Sequence, residues 1–383
     1  MMNTRRWQDF NLYLMISVLV LLGFGTAMVY STTIGNNYRG DVWSLSSPFA
    51  RHFIWIGIGA GAMLFLTLFD YHNLQIFTRP LYIFMLLLLG YTLLAGKIAS
   101  GAQSWLLGES SGQPSEPAKL LLIISLAAWW ANHDEQGHSW FTLGGSLLLA
   151  GAPLLLVLLQ PDLGTAMVIG VMWLAMAWAA GMTWKQAAVL LMIAIPVLYI
   201  GWNYVLEPYQ QGRLLAFTMT RDEIEHIKDP KVYDAVARVF YNVDASKVAV
   251  GNGGLTGQGL LNGIQSQRNF LPVQYTDFIF AVTAEELGFV GAATMLGFIC
   301  LVLWQAVSIA YRAKDTFGRL IAVGIFAMLL IHTYENVGMN MGMMPVTGIP
   351  LPFISYGGSF TVTVLAAVGL LQSISLRHRS LTF

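Results

Sequence analysis

Charge is what this 383-residue sequence has least of. Only 10% of its residues are Asp, Glu, Lys or Arg, against 56% hydrophobic, and the mean hydropathy is +0.61. A soluble domain carries about 25% charged residues, so a water-soluble globular protein is excluded and an integral membrane protein is implied. The 20 basic and 20 acidic residues cancel, and without a basic excess nucleic acid is not an expected partner. Cysteine occurs once, as Cys300 in an apolar run, which rules out an internal disulfide and leaves the redox compartment open. The seven histidines form no HExxH pattern, and His332 with Glu335 is too small a set for a metal site. There is no GxSxG element or Ser/His/Asp set, no internal repeat, and no helix studded with basic residues of the kind a voltage sensor needs.

Long apolar runs are abundant instead. A bilayer core takes about 20 apolar residues per helix, and runs of that order cover 11–31, 52–70, 79–96, 117–131, 139–159, 163–182, 186–205, 278–308, 319–338 and 355–376. The expected fold is an all-α polytopic membrane protein of about ten transmembrane helices, with 1–383 forming one transmembrane domain. The first run follows Arg5 and Arg6 but lacks a clear small-residue cleavage site, so a retained helix is expected rather than a signal peptide. Basic residues in short connections set orientation. With the N-terminus cytoplasmic, Arg5, Arg6, Arg79, Lys185, Arg312, Lys314, Arg319, Arg377 and Arg379 lie inside, and Arg39, Arg51, Lys97 and Lys119 outside. Both termini are then cytoplasmic. All acids except Asp9, Asp70, Asp134, Glu135 and Asp315 face outward or sit near outer helix ends. Residues 206–276 become one large extracytoplasmic loop, far longer than most connections, with Tyr209, Phe217, Tyr233, Phe240 and Tyr241 available to order it.

Five stretches carry candidate chemistry. In TDFIFAVTAEELGFVG, Asp277 stands at the mouth of a span, and Glu285 and Glu286 lie about two turns in. Acids at the centre of a spanning helix cost roughly 2.5–3.5 kcal/mol and mark functional sites. Asp277 also suits a plain helix cap. On a helical wheel Glu285 lies about 80° round from Asp277 and Glu286 about 180° away, so one glutamate is expected to share the Asp277 cavity while the other pairs within the bundle. In QPSEPAKL, Glu116 and Lys119 form either an i,i+3 ion pair or a charged lining to an outer cavity. In QPDLGTA, Asp162 is placed to cap a helix. GNGGLTGQGLLNGIQSQRNFLP, 251–272, lacks the strand and the G-K-[ST] ending of a nucleotide loop; it reads as a flexible outside turn beside Lys247 and Arg268 that could meet a pyrophosphate. MNMGMMPVTGIPLPFISYGGSF, 339–360, is too rich in Pro and Gly for a helix and too apolar for a solvent loop, so a re-entrant element beside the carboxylates is expected.

Taken in order, QPSEPAK, QPDLGTA, GNGGLTGQG, FLPVQYTDFIFAVTAEELGFVG and GMNMGMMPVTGIPLPFISYGGS resemble the SEDS family (shape, elongation, division and sporulation) over nearly the whole chain. GIQSQRNFLP before TDFIF is closer to elongation members than to division members, which tend to carry a KLxYLPE-like stretch. The resemblance implies ten transmembrane helices and a peptidoglycan glycosyltransferase that polymerises lipid II on the outer face of the plasma membrane. It also implies a class B penicillin-binding protein as transpeptidase partner. The family's essential acid maps onto Asp277, and Glu116 and Lys119 match its QPSE-x-AK pair. Departures are Ser104 in place of a usual Arg, Val273 in place of a frequent Glu, Ala245 in place of a common Gln, and a longer, more charged 220–237.

On this resemblance Asp277 is expected to be the general base, and Lys119, Arg213, Lys247, Arg268 or a divalent cation (Mg or Mn) to meet the leaving diphosphate. Glu285 or Glu286 would orient a helix or hold a cation. Asp162 and Ser355 complete the expected substrate-binding set, and lipid tails would lie between helices, in contact with membrane lipids. A lipid-precursor flippase, a division-type polymerase and a non-catalytic scaffold are the alternatives; broken helices and buried carboxylates also suit a transporter.

Overall fold

A computed structural model of the chain describes residues 9–35, 41–95, 97–99, 102–105, 112–133, 139–227, 229–268, 270–271 and 273–377. The order is α1 (Leu12–Gly35), α2 (Pro48–Leu68), α3 (His72–Ile76), α4 (Thr78–Ala95), β1 (Lys97–Ala99), β2 (Ala102–Trp105), α5 (Ser115–Ala131), α6 (Trp140–Leu159) and α7 (Leu163–Ala179). Then follow α8 (Trp184–Ile200), α9 (Pro208–Thr218), α10 (Pro230–Gly253), α11 (Ile264–Gln267), α12 (Ile279–Arg312), α13 (Thr316–Asn340) and α14 (Gly358–Ser375). Each expected apolar run coincides with a helix over most of its described length. Among the described residues, β1 and β2 form a small antiparallel ribbon that the all-α expectation left out; Ser104 lies on it.

Among the described residues, eight helices are long and apolar enough to cross a bilayer, which makes this a multi-pass membrane protein. The two remaining runs, α5 and α7, have 17 residues each. Both start late, α5 after Pro114 and α7 after Pro161, so their N-terminal ends stop short and leave a hollow above them. α5, α7, α13 and α14 form the interior of the bundle, whereas α8 buries Gln186 alone.

The connection 206–276 is largely helical. Residues 208–218 and 230–253 are the helices α9 and α10, joined through a 3₁₀ turn at Arg221–His226. The two pack closely: a Cβ on Gly212 of α9 would meet the Ala235 Cβ of α10 at 2.6 Å.

The GNGGLTGQG stretch is anchored rather than free. It docks into a break in α12 at Gly288, whose φ of 67° leaves preceding carbonyls unpaired within the helix. Gln258 and Gly259 donate their amides to Glu285 O and Glu286 O (3.0 and 2.9 Å), and Phe289 and Val290 donate to Gly254 O and Leu255 O (2.9 and 3.1 Å). α13 ends at Asn340, and 341–357 runs without helix through the protein interior, burying Leu351, Ile354 and Tyr356, before α14 begins.

Candidate active site

The hollow above α5 and α7 is a cleft of about 1060 Å³, counting its open mouth. Its walls come from the N-terminal ends of α5 and α7, from α9, from 273–277 and from 347–360. Glu116, Asp162, Arg213 and Asp277 all reach it.

Asp277 is held through its backbone. Three successive carbonyls are pinned: Tyr275 O accepts from Tyr356 N (2.9 Å), Thr276 O from Ser355 Oγ (2.6 Å), and Asp277 O from both Asn336 Nδ2 (3.0 Å) and Asn340 Nδ2 (2.9 Å). Ser355 Oγ is fixed in turn by the Leu351 amide (2.8 Å), so this residue positions Thr276 rather than lining the cleft. Asn340 Oδ1 accepts from Ala281 N (3.2 Å) and Ser246 Oγ (3.1 Å), which joins α10, α12 and α13 at one side chain. Gly348, at φ 79°, sits where a Cβ would come within 3.3 Å of Asp277 Oδ2 and 3.7 Å of Arg213 Nη1. The segment 341–357 therefore keeps a bare face toward the carboxylate. No side chain caps α12, whose N-cap residue is Phe278, so capping does not account for Asp277. Burial pushes its carboxyl above the usual carboxylate range, opposed by a hydrogen bond from Thr276 and by the Arg213 charge.

Glu116 and Lys119 are the i,i+3 pair, 2.8 Å apart, and both are buried. Glu116 faces the cleft and Lys119 stands behind it, 2.9 Å from His332 Nε2, while His332 Nδ1 lies 3.2 Å from Pro350 O. With the Nδ1–H tautomer, His332 donates to Pro350 and accepts from the Lys119 ammonium. Asp162 caps α7 by accepting from Thr165 N (3.0 Å) and takes a second bond from Gln113 Nε2 (2.7 Å), so it is both cap and cleft wall.

Glu285 and Glu286 do not share the Asp277 cavity, contrary to the helical-wheel expectation. Glu285 accepts from the amides of Gln265 (2.7 Å) and Ser266 (3.0 Å). Glu286 accepts from Ser31 Oγ (2.6 Å), Ser266 Oγ (3.2 Å) and Gln267 Nε2 (3.1 Å). The wheel assumed that α12 continued smoothly back to Asp277 and that its partners lay on other spans. The partners are instead the docked 261–267 loop and Ser31 of α1. Arg268 is exposed on that loop, away from the cleft. Lys247 lies on α10 and faces a separate chamber. Among the described residues no three His, Cys, Asp or Glu side chains converge as a metal site.

Asn336 and Asn340 escaped the motif reading. The signal available was two amides four residues apart in an apolar span, HTYENVGMN, which puts both on one face.

The family model of the FtsW/RodA/SpoVE cell cycle proteins matches residues 12–380. The chain belongs to this family. Among its relatives, the peptidoglycan glycosyltransferase MrdB of Escherichia coli K12 is 37% identical over 79% of this chain and 78% of its own length. The peptidoglycan glycosyltransferase RodA of Treponema pallidum is 32% identical over 98% of this chain and 100% of its own. A chain from a peptidoglycan synthase complex that coordinates polymerization and crosslinking superposes with a TM-score of 0.74 at 27% identity, covering 96% of this chain and 98% of that one. RodA of Thermus thermophilus gives 0.67 at 26% identity over 98% and 99% of the two chains.

Proposed function

We propose that this SEDS protein is a peptidoglycan glycosyltransferase that polymerises lipid II on the outer face of the plasma membrane, in cell elongation and shape. The observation that carries the reading is Asp277: a half-buried carboxylate at a cleft, its backbone pinned at three consecutive carbonyls, its carboxyl raised by burial. The names of the relatives and the synthase-complex likeness support it.

In the reaction, the hydroxyl of one sugar attacks the anomeric carbon of another. The new C–O bond forms as the bond from that carbon to the lipid diphosphate breaks, and the hydroxyl proton passes to Asp277. One direct displacement inverts the anomeric centre. General-base assistance of this kind contributes about 10²–10⁴-fold, and a raised carboxyl pKa makes a better proton acceptor. Glu116, with its charge offset by Lys119, and Asp162 offer acceptors to sugar hydroxyls. A class B penicillin-binding protein is the partner that crosslinks the product. Both chain termini face the cytoplasm, and the cleft opens outward.

The test is glycan-chain formation from purified lipid II by the wild type and by Asp277→Asn, each with the transpeptidase partner. Asp277→Asn is expected to abolish polymerisation while leaving expression, melting temperature and partner binding unchanged. Normal turnover by the folded variant would refute the assignment.

A further inference from the structure

Glu335 is a buried acid that the reaction leaves unused. It lies on α13 with no exposed surface; Oε1 accepts from Thr347 Oγ1 (3.0 Å), and Oε2 has no hydrogen-bond partner. Among the described residues no Lys, Arg or His forms an ion pair with it. A carboxyl buried on these terms costs free energy that a hydrocarbon side chain would avoid. Its single bond, to Thr347, is therefore where its role lies.

Thr347 connects that bond to the cleft. Its carbonyl accepts from Arg213 Nη1 (3.1 Å), and the guanidinium lies over the Tyr209 ring, 4.7 Å from its centroid. Glu335 and the next residue, Asn336, fasten the chain on both sides of Gly348. Glu335 holds the Thr347 side chain, and Asn336 Nδ2 holds Ile349 O (2.8 Å). Gly348, at φ 79°, would otherwise be a soft joint. It stands beside both charged groups, since a Cβ there would lie 3.3 Å from Asp277 Oδ2 and 3.7 Å from Arg213 Nη1.

We propose that Glu335 is a positioning residue for Arg213, acting through Thr347. The role rests on the polymerase reading, because its effect falls on Asp277. Among the described residues Arg213 is the one cation lining the cleft, and its charge opposes the burial that raises the Asp277 carboxyl. A guanidinium fixed at Thr347 O keeps that charge at a set distance from the carboxylate, and one released from it does not. The other titratable groups of the cleft are Glu116, paired with Lys119, Asp162, bonded to Gln113 and Thr165, and Tyr209 under the guanidinium. His332, one turn back on α13, is taken up by Lys119 and Pro350. What Thr347 requires of position 335 is an acceptor, not a charge.

The experiment follows carbodiimide labelling of Asp277 across pH by mass spectrometry, on the full chain in detergent, because the reagent takes the protonated carboxyl. Lipid II polymerisation is measured on the same preparations with the transpeptidase partner. Glu335→Leu and Thr347→Val remove the bond from its two ends. Each should move the labelling midpoint and the acid limb of kcat/KM to higher pH, and lower kcat/KM on the acid side about two- to tenfold, as for loss of one buried hydrogen bond. Glu335→Gln and Thr347→Ser keep the acceptor and the donor and should follow the wild type. On an Arg213→Met background Glu335→Leu should add no further shift, since two steps of one path do not add. Unmoved midpoints in both Glu335→Leu and Thr347→Val overturn the proposal. So does an equal shift in Glu335→Gln, which would make the effect one of charge, or a further shift without Arg213, which would send it by another path. If the wild type forms no glycan while the midpoints move as expected, the polymerase reading fails and the tether stands. If glycan formation depends on Asp277 while the midpoints stay put, the tether alone fails.

Discussion

Asn336 and Asn340 do for Asp277 what its own side chain cannot, since a carboxylate on a free chain end would sample many directions. Both amides hold the Asp277 carbonyl, and Asn336 Nδ2 also reaches Ile349 O at 2.8 Å, which ties the carboxylate to the segment that carries Gly348. Misplacement of a reacting group by an ångström can cost on the order of 10²-fold. Asn336→Ala or Asn340→Ala should therefore lower kcat for lipid II polymerisation by about 10–10²-fold with a much smaller change in KM. A purely structural role would reduce the yield of folded protein and leave kcat per folded molecule intact. The same residue predicts a pH effect. Asp277 accepts a proton only when ionised, so kcat/KM should rise with pH through its raised pKa, an acid limb above the ordinary carboxylate range. Arg213 favours the ionised form; Arg213→Met should push the acid limb to still higher pH, and a limb that stays put would disconnect the pair.

Among the elements, α12 shows most clearly what a sequence conceals. Its apolar run announces a span, and its two glutamates announce a polar requirement, yet their partners come from a loop about 20 residues upstream whose docking no periodicity declares. The ten runs were legible because a bilayer demands length and apolarity. Which faces are buried was not, because lipid tails and core are equally apolar, and helices as different as α8 and α14 look alike in sequence. The break at Gly288 hides too, since a glycine in an apolar run is ordinary in membrane helices. Its role can be tested. A Cβ on Gly288 would fall 2.2 Å from Gly257 N, and one on Gly257 would fall 2.1 Å from Glu286 O, with both glycines at positive φ. Gly288→Ala and Gly257→Ala should each cost about 1–3 kcal/mol in backbone strain alone, with further loss from overlap, seen as a lower melting temperature in detergent. Gly297→Ala, on the same helix with open space around it, should change stability by about 0.5 kcal/mol or less. Equal behaviour of all three would mean that the loop does not lock the break.

Across the whole molecule, the cleft and a second charged cluster occupy opposite ends of α13, about 37 Å apart at 1.5 Å per residue. At the far end His72 Nδ1 lies 2.8 Å from Asp70 Oδ1, and His72 Nε2 lies 3.3 Å from Asp315 Oδ2. Tyr71 donates its hydroxyl to Asp315, which also accepts from Gly318 N (2.8 Å) as the cap of α13. Arg377 donates to Ser373 O and Leu68 O (3.0 and 3.1 Å) beside Asp70, so the ends of α2, α13 and α14 meet in one clamp. Burial works against the Asp315 charge, but bonds from His72, Tyr71 and Gly318 outweigh it and hold this carboxyl down at about 2. His72 is raised, chiefly by its bond to Asp315, with burial opposing and Asp70 adding to it. The signs follow. The Asp315 contribution is present above about pH 4, the unfolded value, and is lost as pH falls toward about 2. The His72 contribution is complete below about pH 6.5, its unfolded value, and is lost as pH rises through its raised folded pKa. The clamp is thus strongest between about pH 4 and about pH 6.5. The melting temperature of the detergent-solubilised protein should fall as pH is raised from about 6 to about 9, and His72→Gln should flatten that fall while leaving the acid side in place. A decline of equal size in His72→Gln would move the cause to another group and leave the clamp a passive tie.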